Sequence, residues 1–266
     1  MDNDKKSFLS IITINYNNKI GLEKTIQSVI SQTFKDIEYI VIDGGSKDGS
    51  KEYIETQKDF IYYWISEPDK GIFNAMNKGI EVSSGEYLLF LNSGDSLNLN
   101  TSLDDFINHE GFHGDIVYGD YKFENGQKIF PDYLTPFFFV RTSLPHQSTF
   151  FRRKVFDEMG FYNEKYKIVS DREFFIKCFL RNRFTFTHIN YLLTLYDLSG
   201  ISNNSLHKEE QASENERMFR ENYGIFYEDY KNMICLQREL NQVKKQTISG
   251  IIKRVLNKLK NICQIR

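Results

Sequence analysis

Apolar residues gather into short β-rich blocks at Phe8 to Ile14, Ile37 to Ile42, Ile61 to Ile65 and Tyr87 to Leu91. Between the blocks the spacing changes. Leu22, Ile26, Val29 and Ile30 recur at helical intervals, Tyr53 and Ile54 suit a second helix, and Ile72 to Val82 reads as a third. This alternation predicts crossover helices packed on a largely parallel sheet. The strands end in polar or turn-forming segments: Asn15 to Asn18, Asp43 to Gly49, Glu67 to Gly71 and Asn92 to Asp95. Ligands of open parallel sheets sit outside the carboxyl ends of the strands, so these four segments are expected to converge on one crevice.

Beyond residue 100 the pattern is mixed, with strand candidates at Ile116 to Tyr118 and Thr149 to Phe151 and helices near Val155 and Phe174. No repeat or low-complexity tract interrupts the chain. Polar, helix-favouring sequence begins after Ser199 to Ser205. The expected organisation is therefore one α/β domain over residues 1–205 and a helical extension over 206–266.

Composition narrows the class. The 266 residues are 40% hydrophobic, enough to bury a full core, and the net charge of -2 gives no basic surface to attract nucleic acid. Cys178, Cys235 and Cys263 are odd in number and widely spaced, which argues against a disulfide framework or zinc knuckle and for a reducing compartment. Met1 to Ser7 has no apolar signal stretch, and runs such as Pro136 to Val140 and Ile248 to Ile252 are far shorter than the roughly 20 residues that span a bilayer. A cytoplasmic protein with at most peripheral membrane contact is expected.

Six ordered segments resemble the family 2 glycosyltransferases of the GT-A fold: Ser10 to Asn17, Val41 to Ser50, Glu67 to Gly71, Asn74 to Gly79, Gly85 to Asp95 and Ser170 to Phe175. The resemblance spans roughly residues 8–200 and implies a Rossmann-like mixed, mostly parallel sheet flanked by helices. It implies an inverting transfer from a UDP-sugar to a hydroxyl of a glycan acceptor, of the kind carried on lipid in bacterial polysaccharide synthesis. Thr13, Asn15 and Tyr16 would line the nucleoside pocket, and Asp43 would accept the N–H of uracil, although by itself Asp43 also suits a turn. Asp69, Lys70 and Gly71 would hold the base or diphosphate, while Lys70 alone equally suits a solvated loop. Relatives often carry Arg where this chain has Met76.

Asn92, Ser93, Gly94 and Asp95 resemble the metal-binding Asp-X-Asp region with its first acid replaced by Asn. Asp95 would hold Mg²⁺ or Mn²⁺ against the donor phosphates, the alternative being an Asx turn after a buried strand. Asp171 matches the acid that serves as base, and the same residue could cap its helix. His146, in Pro145-His146-Gln147, is a candidate for the diphosphate or acceptor, against an ordinary structural histidine. Aromatics such as Phe137 to Phe139, Tyr162 and Tyr166 suit sugar platforms or core packing.

Two rival readings differ in class. A nicotinamide oxidoreductase is disfavoured because the first turn lacks Gly-X-Gly-X-X-Gly. A non-catalytic sugar-nucleotide or glycan-binding module would not need both Asp95 and Asp171. In the tail, Ile248, Ile251, Ile252, Val255, Leu256, Leu259, Ile262 and Cys263 recur at helix-like spacing beside Lys253, Arg254, Lys258 and Lys260. That pattern predicts an interfacial helix at the inner leaflet, with packing on its own domain or a dimer seam as the alternative.

Overall fold

The computed structural model describes residues 7–200, 205–247 and 249–255. In its first half, β1 (Leu9–Asn15), β2 (Ile37–Asp43), β3 (Tyr63–Ser66) and β4 (Tyr87–Phe90) pair in parallel in the order β3-β2-β1-β4. α1 (Lys19–Ile30), α2 (Ser50–Thr56) and α3 (Ile72–Val82) make the crossovers. β1 is buried at every position because helices cover both faces. Leu22, Ile26 and Val29 of α1 pack with Leu9 and Ile11 in one apolar cluster. On the opposite face Gly79 of α3 comes so close that a Cβ there would stand 2.4 Å from the Ile12 Cγ2 methyl.

The second half extends this sheet. β5 (Ser96–Leu97), α4 (Ser102–Ile107), β6 (Ile116–Phe123), β7 (Gly126–Lys128), α5 (Pro136–Arg141), β8 (Thr149–Arg152), α6 (Arg153–Met159), α7 (Ser170–Leu180) and β9 (Phe186–Leu195) follow in sequence. β8 runs antiparallel between β4 and β6, β6 is parallel to β9, and β5 closes the far side against β9. The result is the expected mixed sheet flanked by helices. β9 has no counterpart in the sequence reading, because Thr187, His188 and Asn190 interrupt its apolar pattern. Pairing along β6 supplies the order that the local sequence does not signal.

Nearly half of the aromatic residues are buried in the core. Phe90, Phe156, Tyr162 and Phe174 form edge, stacked and tilted contacts beneath α6 and α7. Phe139 and Tyr166 are buried as well. Cys178 is buried and Cys235 exposed, both as free thiols.

α8 (Lys208–Tyr223) and α9 (Phe226–Gln246) follow. Two compact units are present, residues 1–218 and 219–266, so the first unit reaches beyond residue 205 into α8. Glu214 accounts for part of that extension, since its buried carboxylate accepts the N–H groups of Lys167 and Ile168 at 2.7 and 2.9 Å. Of the apolar tail stripe, Ile251, Ile252 and Val255 lie in a helical stretch and are exposed. Ile248, Leu256, Leu259, Ile262 and Cys263 lie outside the described residues, as do Lys258 and Lys260.

Candidate active site

The segments after the first four strands meet at a cleft of about 700 Å³. Asn15 and Tyr16 enter from β1, Gly44 from β2, Asp69 and Gly71 from β3, and Asn92, Ser93 and Asp95 from β4. His146, Asp171 and Asp197 add to the polar lining. A cleft of this size suits a ligand of several rings.

The turn carrying Asp95 is clamped by α1. Thr25 Oγ1 donates to the Asp95 carbonyl at 2.6 Å and accepts from Gly94 N at 3.0 Å. Asn18 Nδ2 reaches Ser93 O and Lys24 Nζ reaches Gly94 O, at 3.2 and 2.9 Å. Gly94 has φ of +107°, and a Cβ on it would meet Asp197 Oδ2 at 2.4 Å. Glycine therefore admits Asp197 beside the turn. The backbone N–H of Asp197 donates to Asp95 Oδ1 at 2.8 Å. Burial pushes the Asp95 carboxyl up to about 7, reinforced by the Asp197 charge and opposed by that N–H, His146 and Lys24.

A second chain of contacts joins this turn to α7. Asn92 Nδ2 lies 3.2 Å from His146 Nε2, and His146 Nδ1 lies 3.3 Å from Asp171 Oδ2. Asp171 Oδ1 accepts from Arg172 N at 2.7 Å, so both carboxylate oxygens are held in direction. Asp171 sits in the first turn of α7 next to the cap residue Val169 and its neighbour Ser170, and is not itself the cap. Burial lowers the basicity of His146, but the hydrogen bond and charge of Asp171, with Asp95 behind it, outweigh burial and raise the imidazole. The Asn92 amide suits either state of that ring. Its Nδ2 donates to a neutral Nε2, and turned over, its unpartnered Oδ1 accepts from the imidazolium.

Two residues expected in the nucleoside pocket lie beneath it instead. Thr13 is fully buried, with its hydroxyl donating to Leu91 O at 2.8 Å, so it ties β1 to the end of β4. Asp43 is also fully buried and is not part of the cleft lining. Its carboxylate accepts from Asn15 Nδ2, Ser46 Oγ, Ser46 N and Ser66 Oγ at 2.7, 2.5, 2.9 and 2.6 Å. A carboxylate has about four lone-pair sites, and all are in use. Burial alone would raise Asp43, but these hydrogen bonds prevail and hold it below the usual carboxylate range. The hydrogen bond to Asp43 holds the Asn15 amide, whose buried Oδ1 has no partner within the chain.

Asp69 Oδ1 accepts from Gly71 N at 2.8 Å and shapes the loop before α3. Lys70 from the same loop is exposed and is not among the residues lining the cleft; Gly94 lies behind its lining neighbours Ser93 and Asp95. Asp197, Lys24 and Thr25 had no motif to mark them. Asp197 follows β9, and finding it required the strand that precedes it.

The donor set fits a hard divalent cation. Asp95 and Asp197 place two carboxylates at one turn, and the neighbouring Asn92 Oδ1 and Ser93 Oγ are buried oxygens without partners in the chain. No group of three or more His, Cys, Asp or Glu side chains is gathered as a metal cage among the described residues. Mg²⁺ commonly takes one or two carboxylates and completes its shell with phosphate and water oxygens.

Residues 10–153 match the family described as Glycosyl transferase family 2. A glycosyltransferase of Mycobacterium tuberculosis (strain CDC 1551 / Oshkosh) is 31% identical over 194 residues, covering 65% of this chain and 69% of its own. The GalNAc(5)-diNAcBac-PP-undecaprenol beta-1,3-glucosyltransferase of Campylobacter jejuni is 39% identical over 93 residues, 34% of this chain and 30% of its own. Staphylococcus aureus TarS 1-349 in complex with UDP-GlcNAc superposes with a TM-score of 0.59 at 21% identity, covering 71% of this chain and 58% of that one. That likeness is one of fold, the GT-A fold. The chain belongs to glycosyl transferase family 2.

Proposed function

We propose that this chain moves a hexose or N-acetylhexosamine from a UDP-sugar, with inversion, to a hydroxyl of a glycan acceptor carried on lipid in bacterial polysaccharide synthesis. The observation that carries this reading is the union of Asp95 and Asp171 in one cleft through Asn92 and His146. The UDP-GlcNAc complex of TarS 1-349 supports the donor class, and the undecaprenol-linked substrate in the name of the Campylobacter enzyme supports the acceptor class.

In this mechanism Asp171 accepts the proton of the attacking hydroxyl while that oxygen bonds the anomeric carbon and the bond to UDP breaks. His146 holds Asp171 in direction for that transfer. The diphosphate leaves as an anion, so no second carboxylic acid is needed to protonate it. A divalent cation at Asp95, with Asp197 beside it, would offset charge on the departing diphosphate. Asn15 Oδ1 accepts the uracil N3–H in place of Asp43. Tyr16, 67% exposed at the cleft, offers its ring to the base. Asp69 and Gly71 border the donor, with Lys70 of the same loop as the phosphate cation. The tail is proposed to rest on the inner leaflet of the cytoplasmic membrane. No described helix is long and apolar enough to cross a membrane.

The test is UDP release from UDP-glucose, UDP-galactose and UDP-GlcNAc with lipid-linked glycan acceptors and Mn²⁺ or Mg²⁺. Release is expected with one donor well above the others. UDP binding by calorimetry without release from any pair would instead mark a binding module.

A further inference from the structure

α9 carries an apolar stripe that stands exposed among the described residues. Within Phe226–Gln246 only Tyr227 is buried, whereas Met233, Leu236, Leu240 and Val243 are 43%, 64%, 52% and 57% exposed. A solitary helix of this length is marginal in water, and most helices in proteins are stabilised by covering an apolar face. The spacing of these four residues says what kind of cover fits. They stand three, four and three residues apart, two positions in each seven, which is the narrow seam of a coiled coil rather than the broader face that packs on a globular domain.

With Met233 and Leu240 at the first heptad position and Leu236 and Val243 at the fourth, Glu239 falls at the seventh position and Lys244 at the following fifth. In parallel helices in matched register these two positions face each other across the seam, so Glu239 of each copy meets Lys244 of the other. The other flanking pair, Asn232 and Gln237, is neutral, so no like charges oppose. A lipid surface fits this stretch less well. Across Phe226–Gln246 the acids Glu228, Asp229 and Glu239 nearly balance the bases Lys231, Arg238, Lys244 and Lys245, which offers anionic headgroups little attraction. We infer that the Met233–Val243 face of α9 binds the same face of a second copy of this chain, as a short parallel coiled coil. Leu at the first position with β-branched Val at the fourth also admits more than two strands, so the stoichiometry is read from the mass.

Analytical ultracentrifugation of the full chain over about 1–100 μM tests this, a range where a short seam associates measurably. The mass should rise above the monomer's 31.4 kDa with concentration. Leu240→Lys should weaken association at least about tenfold, as should Glu239→Lys alone, and Glu239→Lys combined with Lys244→Glu should restore it. Unchanged UDP binding verifies that the variants fold. A chain that stays monomeric over the whole range overturns the inference, as does a double exchange no better than the single one. So does a Leu240→Lys protein that loses liposome binding at unaltered mass.

Discussion

The proposed function gives Asp171 and Asp95 different partners, and substitutions should separate them. Asp171→Asn keeps the shape of the side chain but removes the proton acceptor. Transfer should fall on the order of a hundredfold or more while UDP affinity stays near wild type. Calorimetry beside single-turnover rates checks this, and unchanged transfer at saturating substrate refutes the assignment. Asp95→Asn retains an acceptor for Asp197 N–H but weakens the oxygen set offered to a cation. The metal-free melting temperature should hold, the rise on adding Mn²⁺ should disappear, and turnover should drop by roughly a hundredfold or more. If Mn²⁺ still stabilises the variant as it does wild type, the cation is held elsewhere. At this scale the motifs named the residues but not their contacts. The family resemblance marked Asp43 as a base-reading acid; in the structure its acceptors are satisfied by Ser46, Ser66 and Asn15, two of them distant in sequence.

Among the elements, β6 and β9 hold a titratable junction. His188 on β9 contacts buried Asp120 through Nε2 at 3.0 Å and Asp132 through Nδ1 at 2.5 Å, and its ring stacks on Tyr118. Burial opposes its protonation, but the two carboxylates prevail and raise it above the ordinary 6.5. A histidine raised in the folded state contributes stability that is fully present below its unfolded value and is lost as pH rises through the folded one. Urea midpoints should therefore decline from pH 6 towards alkaline pH, and His188→Gln should flatten that decline while lowering stability most at pH 6. Equal slopes in the two proteins would exclude His188 as the cause. This junction was illegible in the sequence because Asp120, Asp132 and His188 share no motif and meet only through the pairing of β6 with β9.

The whole molecule combines a cleft-bearing unit with a unit whose described helices end in basic sequence. Truncation after Gln246 removes Lys253 and Arg254 with the exposed Ile251, Ile252 and Val255, yet leaves both the cleft and the α9 stripe. The truncated protein should retain UDP binding and self-association but sediment less with anionic liposomes, and salt should release the intact chain. Equal binding of both proteins, or binding by neither at low salt, removes the membrane role from this tail.

Local pattern determined the first four strands, their crossover helices and the polar segments at their ends, because burial on both faces writes continuous apolar runs in β1, β2 and β4 and turns require their own residues. Membership of the glycosyltransferase family was likewise legible, carried by ordered motifs. Tertiary structure alone decided that β8 inserts antiparallel beside β4, that β9 brings Asp197 to Asp95, and that His146 bridges Asn92 and Asp171. These depend on partners 25 to 102 residues apart, whose contact is set by packing of the whole sheet rather than by any local preference.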